Sequence, residues 1–193
     1  VEEIDRIKGV IDLSKPDGQR DHCIIELLYS CGLRVSEACT LRLSDLFLTE
    51  GFIRVIGKGD KQRIVPISEA AIREIHWWLD VRAQIDVVPE DEDIFFVSAT
   101  RRKRLTRVLV FMKIKQYTKD ACIEKEVSPY SFRHSFATHL LEGGVSLRVI
   151  QAMLGHEKIS TTEIYTHLDR RFLRQQVLEH FPRNRKYPDG ITE

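Results

Sequence analysis

The sequence predicts a mainly α domain with a small antiparallel β-sheet, an α+β chain. Three observations predict it. Apolar residues recur at helical spacing in most segments, several opened by serine and closed by glycine. One stretch, 51–68, carries two strand-like runs around a Gly-Lys-Gly-Asp tip. The 193 residues are 42% hydrophobic and 31% charged, which suits a globular domain with a real core and excludes a disordered chain. No apolar run approaches the ~20 residues of a membrane helix, and no signal peptide is visible. The domain is expected over 1–182, with 183–193 a flexible polar tail.

In chain order, Asp21 to Ser30 reads as a helix with Ile24, Ile25, Leu27 and Leu28 inward, ended by Gly32. Arg34 follows in the turn before a short helix, with Ser36 as its cap. Phe52 to Ile56 and Arg63 to Ile67 are the strands of the hairpin, and Lys58 sits at its tip. Ser68 caps a helix that turns Ile72, Ile75, Trp78 and Leu79 inward and leaves Trp77 partly exposed. Ile94 to Val97 is too short for a helix and reads as an edge strand. Arg104 to Tyr117 is helical, with Leu105, Val108, Leu109 and Met112 at core spacing. Ser128-Pro129 opens a helix that Gly143-Gly144 closes. Phe132, Phe136 and Leu140 share one of its faces, and Tyr130, Arg133, His134 and Ala137 another. Ser146 opens a helix carrying Leu147, Ile150 and Leu154, and Gly155 stops it. Ser160 to Glu163 has capping-box spacing, which sets Tyr165 in the first turns of a further helix, shortly after His156. Leu168, Phe172, Leu173, Val177, Leu178 and Phe181 form a late apolar stripe that packs either on its own domain or on a neighbour.

The four cysteines, Cys23, Cys31, Cys39 and Cys122, form no CxxC pair, and Cys23 and Cys31 lie in an apolar helical segment, so buried reduced thiols and a cytoplasmic address are expected. A net charge of +1 is not that of a uniformly basic nucleic-acid binder. Charge is segregated instead. Asp86 and Glu90 to Asp93 form an acidic loop, Arg101, Arg102, Lys103, Arg104 and Arg107 follow, and Arg170, Arg171, Arg174, Arg183, Arg185 and Lys186 add a basic end. Taken singly, none of Arg34, Lys58, Arg133, His156 or Tyr165 points to a function. A helix arginine is usually solvated or ion-paired, a turn lysine usually exposed, and Arg34 has Glu37 at hand.

Their joint order is informative. GLRVSEA at 32–38, GKGDKQR at 57–63, FRHSFATHLLEGG at 132–144, LGH at 154–156 and STTEIYTH at 160–167 resemble the tyrosine site-specific recombinases, closest to the Xer-type recombinases and transposon integrases of bacteria. The likeness runs in order from about Asp21 to His180. One position departs from it: the family has histidine three residues before the second arginine, where this chain has Tyr130.

The resemblance implies a tyrosine recombinase catalytic-domain fold and a set of roles. Arg34 and Arg133 would bind the non-bridging oxygens of a phosphodiester and neutralise its developing charge. Tyr165 would attack phosphorus and form a 3′-phosphotyrosyl bond, Lys58 would protonate the leaving 5′-oxygen, and His156 would hydrogen-bond the phosphate. Tyr130 occupies the position of the histidine that assists proton removal, and a neutral phenol is a poor base. Bond energy is conserved, so no metal or nucleotide cofactor is required. The implied partners are double-stranded DNA and three further copies of the chain, a homotetramer on DNA joined through the C-terminal helix, with no membrane. Lys58 and the basic run Arg101, Arg102, Lys103, Arg104 and Arg107 are the candidate DNA contacts, and a bacterial, nucleoid-associated location follows. The chain opens on Val1 inside a charged helical pattern, so a preceding DNA-clamping domain is expected outside it. Three alternatives stand beside this: a type IB topoisomerase-like nicking-resealing enzyme, a catalytically impaired DNA-binding protein with 146–167 as a helix-turn-helix, and a hydrolase with a cysteine or histidine nucleophile.

Overall fold

Burial, more than helical propensity, organises the chain. The computed structural model describes residues 1–155 and 170–182. Within them one apolar core runs from Ile4 to Phe181. Helices α1 (Glu2–Gly9), α2 (Pro16–Ser30) and α3 (Val35–Thr40) precede a sheet of β1 (Leu46–Phe47), β2 (Phe52–Ile56) and β3 (Gln62–Pro66). Helices α4 (Glu69–Arg82), α5 (Arg107–Asp120), α6 (Pro129–Glu142), α7 (Leu147–Leu154) and α8 (Arg170–His180) follow. The mainly α architecture with a small antiparallel sheet is therefore the one the sequence predicts. None of the described helices is long and apolar enough to cross a membrane.

The central helix is α2. It begins at Pro16, earlier than its apolar periodicity suggested, because proline fits the first turn of a helix. Helices α4 and α6 both pack on it, and from Asp21 to Ser30 only His22 keeps partial exposure. Gly32, at φ +61°, ends this segment, and a Cβ there would lie 2.5 Å from the Phe136 ring. The left-handed turn and the close approach of α6 both require glycine.

Helix α1 is held by Ile4 and Ile7, with Ile11 just beyond it, and by a nearly dry charge network. Lys8 Nζ lies 2.5 Å from Glu26 Oε2 and 3.1 Å from Glu74 Oε1, His22 Nδ1 is 2.7 Å from Glu74 Oε2, and Ser30 Oγ donates to Glu26 Oε1. Burial pushes the Glu74 carboxyl up, but His22 and Lys8 outweigh it and hold the group below its ordinary 4.5. Its contribution to stability is thus present above that value and is lost as pH falls through the lower folded one. Lys8→Met leaves two buried carboxylates short of a cation and is expected to cost about 3–5 kcal/mol. Urea unfolding at neutral pH measures it; a loss under about 1 kcal/mol, the range of exposed pairs, would show that water already screens the network.

The sheet is antiparallel in the order β1-β2-β3, with Val55 opposite Arg63 and Ile53 opposite Val65. The hairpin is the expected one; strand β1, two residues long, is an addition. Ser68 caps α4, accepting from the Ala71 N–H at 3.2 Å. Trp78 is fully buried and donates to the Phe95 carbonyl, while Trp77 is exposed.

Two expectations are corrected here. Ile94 to Val97 is no edge strand: all four side chains are buried, and the segment makes only isolated bridges, Arg42 with Ile94 and Val97 with Arg104. Its backbone is satisfied individually, by the Leu41 carbonyl, by Trp78 and by Arg82. Helix α5 starts at Arg107 behind a Thr106 cap, not at Arg104, and buries Val110, Ile114 and Thr118, leaving Val108 and Met112 exposed.

Helix α6 follows the sequence closely, with Phe132, Phe136 and Leu140 buried. The Ser128 N–H donates to Ser131 Oγ at its start, and Gly144 carries the positive φ beyond its end. In α7 the Ser146 cap and the Gly155 stop are where they were expected, but Leu147 is exposed, and Val149, Ile150, Met153 and Leu154 face the core. Leu173, Val177 and Phe181 of the last apolar stripe are buried against the chain's own core. Phe181 meets Tyr29 and Phe136 at ring separations of 4.8 and 5.5 Å.

Candidate active site

Three distant segments bring arginines around one buried carboxylate. The N-cap of α3 is Arg34, so the chain enters this helix extended, and its N–H donates to Glu37 Oε1 at 2.8 Å. Ser36, expected as the cap, lies inside the helix. Strand β3 alternates Arg63 and Val65 inward, which drives the Arg63 guanidinium into the core to meet Glu37 with both Nη atoms. Its Nε donates to the Met153 carbonyl at the end of α7. Helix α6 supplies Arg133, whose Nη1 donates to the Gly32 carbonyl at 2.6 Å and Nη2 to the Leu154 carbonyl at 2.7 Å.

Glu37 is the common neighbour. Its side chain is 2% exposed; Arg133 Nη1 lies 3.8 Å from Oε1 and Arg34 Nη1 lies 4.0 Å from Oε2. Burial pushes its carboxyl up, yet Arg63, the Arg34 N–H and Arg133 together hold it below its usual value. Arg133 is shifted the other way, down to about 10, by burial and then by Arg34 and Arg63, with Glu37 opposing. Three guanidiniums around one carboxylate leave an excess of positive charge at a partly open surface, since Arg34 keeps 41% of its side chain exposed. That is an environment for a phosphate.

The structure joins Arg34 and Arg133, and brings the Lys58 backbone to their edge. Lys58 is exposed in the short 3-10 turn Lys58–Asp60. Gly57 before it packs so closely that a Cβ would lie 3.2 Å from Glu37 Oε2. Gly155, in the left-handed region at φ +71°, packs likewise on Arg63, where a Cβ would lie 3.0 Å from Cδ. His156 and Tyr165 lie outside the described residues.

Tyr130 is 68% exposed, its ring sits 5.9 Å from that of Phe111, and no hydrogen bond among the described residues joins it to the arginines. Of the basic run, Arg101, Arg102, Lys103 and Arg104 lie in the turn before α5. Two of them have carboxylate partners in the acidic loop: Arg102 with Asp86 at 3.0 Å and Arg104 with Asp91 at 2.7 Å. Arg107, the first residue of α5, is exposed. Cys23, Cys31 and Cys39 are buried, and burial pushes their thiols up, that of Cys39 to about 11, which argues against a cysteine nucleophile among them.

The sequence reading missed Glu37 as an organiser and Arg63 altogether. A signal existed: Arg63 alternates in register with Val65 and Ile67, so an arginine was due to point inward.

Residues 1–171 match the model of the phage integrase family. The chain belongs to that family. Among curated members it is 41% identical, over 184 residues, to the tyrosine recombinase XerD of Staphylococcus haemolyticus, an alignment that takes in 95% of this chain and 62% of that protein. Among solved integrase-family structures it resembles XerA recombinase at 38% identity and a TM-score of 0.72, covering 94% of this chain and 64% of that one. It also resembles the XerH site-specific recombinase bound to its difH substrate before cleavage, at 29% identity and a TM-score of 0.71, covering 86% and 48%. The fold is therefore that of the tyrosine recombinases, and the chain spans about three-fifths of the length of the curated relative.

Proposed function

We propose that residues 1–182 form the catalytic domain of a site-specific DNA recombinase that cuts and rejoins duplex DNA through a 3′-phosphotyrosyl intermediate. One observation carries the reading: Arg34 and Arg133, about a hundred residues apart, meet around Glu37 in a chain of the phage integrase family. In this reading the two guanidiniums hold the non-bridging oxygens. The Tyr165 phenol gives its proton to water as its oxygen bonds to phosphorus, the bond from phosphorus to the 5′-oxygen breaks, and Lys58 gives that oxygen a proton. A 5′-hydroxyl from a partner duplex then reverses the step. His156 hydrogen-bonds the phosphate throughout. XerH with its difH substrate supports duplex DNA as the partner. Lys58, Arg101, Lys103 and Arg107 are proposed to face its backbone, while Arg102 and Arg104 would first have to leave Asp86 and Asp91. A DNA-clamping domain before Val1, a tail over 183–193 and a place on the nucleoid complete the proposal. So does a homotetramer, in which α8 would leave its own core for a neighbour's.

Covalent capture on a nicked duplex tests it. The wild-type chain is expected to remain bound to DNA through denaturing electrophoresis, and two duplexes together to give recombinant strands. Nicking and resealing of one duplex without exchange would favour the topoisomerase-like reading, and no adduct at all would overturn the proposal. Tyr130 sharpens the test. General-base help is worth about 10²–10⁴-fold, so its loss slows cleavage without abolishing it. Tyr130→His is expected to speed adduct formation near neutral pH; equal rates from pH 6 to 9 would show that this position does not limit the reaction.

A further inference from the structure

We propose that Arg63 is a positioning residue for the phosphoryl transfer: it occupies Glu37, and so leaves Arg34 and Arg133 free for the phosphate. The inference rests on the recombinase reading above. Glu37 is buried with three guanidiniums in reach, and among the described side chains Arg63 is the one that hydrogen-bonds both its oxygens, Oε1 at 2.9 Å from Nη2 and Oε2 to Nη1, while Oε1 also accepts the Arg34 backbone N–H. Arg133 and Arg34 stay at 3.8 and 4.0 Å, beyond good hydrogen-bond distance. The Arg63 side chain is only 4% exposed, with Nε on the Met153 carbonyl and both Nη atoms on Glu37, so burial keeps it from direct contact with DNA.

Charge sets the consequence. With Arg63 in place, the cluster of three guanidiniums and one carboxylate carries two net positive charges. A phosphodiester attacked by a phenolate passes through a doubly negative transition state, which that excess matches. Without Arg63, the buried carboxylate would draw in Arg133, the nearer and more buried of its remaining neighbours, and a single net charge would be left. The same pair also supports the flanking segments. Gly57, before Lys58, rests on Glu37, and Gly155, before His156, rests on Arg63. Arg63 thereby ties α3, the hairpin tip and the end of α7 to one ion pair, none of it touching substrate.

The test is a double-mutant cycle in single-turnover cleavage of a nicked duplex at saturating protein, using the full chain. Arg63→Met is expected to lose on the order of 10²-fold in rate, as removal of one preorganised donor does. Adding Glu37→Gln removes the charge that Arg63 restrains, so the double variant should cleave faster than Arg63→Met alone. A purely structural arginine predicts the reverse: the two losses multiply, and the proposal falls. It falls also if Arg63→Met cleaves at the wild-type rate. Should Arg63→Met not fold, Arg63→Lys serves, because an ammonium cannot engage both oxygens of Glu37 and the bidentate geometry is lost. A DNA-free arm separates this inference from the recombinase reading. The Arg133 side-chain Nε resonance, followed by NMR, should move in Arg63→Met as Glu37 closes on Arg133, and return in the double variant. If the wild-type chain forms no adduct, the recombinase reading fails and this arm still decides whether Arg63 restrains Glu37; an unmoved resonance overturns the proposal.

Discussion

Tyr165→Phe should abolish the covalent adduct while duplex binding persists. The change removes one oxygen and keeps the ring, so the surface offered to DNA is nearly the same. Loss of a nucleophile elsewhere costs on the order of 10⁶ in rate, which here means no adduct above background. The measurement is a time course of a nicked duplex under saturating protein, resolved on a denaturing gel, with binding followed separately by fluorescence anisotropy. An adduct forming at the wild-type rate in Tyr165→Phe would move the nucleophile to another residue. A parallel loss of binding would instead make the phenol a docking group.

Arg34→Ala and Arg133→Ala should each lower the single-turnover rate by about 10²–10³-fold at saturating protein. Their lysine variants should differ. Arg133 is fixed by two divergent hydrogen bonds, to the Gly32 and Leu154 carbonyls, which only a fork-shaped guanidinium can make together. Arg133→Lys should therefore behave much like Arg133→Ala. Arg34 is half-exposed and anchored mainly through its backbone N–H, so Arg34→Lys keeps a charge on the same anchor and should retain more activity. A defect confined to affinity, gone at saturation, would reassign both arginines to DNA docking. Thermal unfolding of each variant guards against loss of the fold, since Arg133→Ala also strands two carbonyls.

Local rules made much of the fold legible. Ser68 and Ser146 each cap a helix, and the hairpin and the buried face of α6 stand where alternation and helical spacing put them. Misreadings came where apolar residues lie on more than one side of an element. Helix α5 offers Val108, Leu109, Val110, Met112 and Ile114, and spacing alone cannot say which arc is inward; packed on α1, α3 and α6, the helix buries Val110 and Ile114 with Thr118. Ile94 to Val97 looked like a strand because it is short and apolar, but its backbone partners are scattered: the Asp91 and Leu41 carbonyls and the side chains of Arg20, Trp78 and Arg82, which no local pattern announces. The arginines of the site were legible through ordered motifs. What gathers them was not, because Glu37 and Arg63 are 26 positions apart and meet only once the hairpin folds over α3.

The seat of α8 bears on when chains can associate. Phe181 fills a space between Tyr29 and Phe136, and a Cβ on Gly143 would lie 2.4 Å from the His180 carbonyl, so the fit leaves no room for a second occupant. A neighbour's identical helix must compete with one tethered to the same chain, whose local concentration is on the order of millimolar. In the proposed exchange of α8, free chains at micromolar concentration would lose that competition. Two chains held on one duplex would reach comparable local concentrations, so under that proposal the duplex itself would be the trigger for exchanging helices.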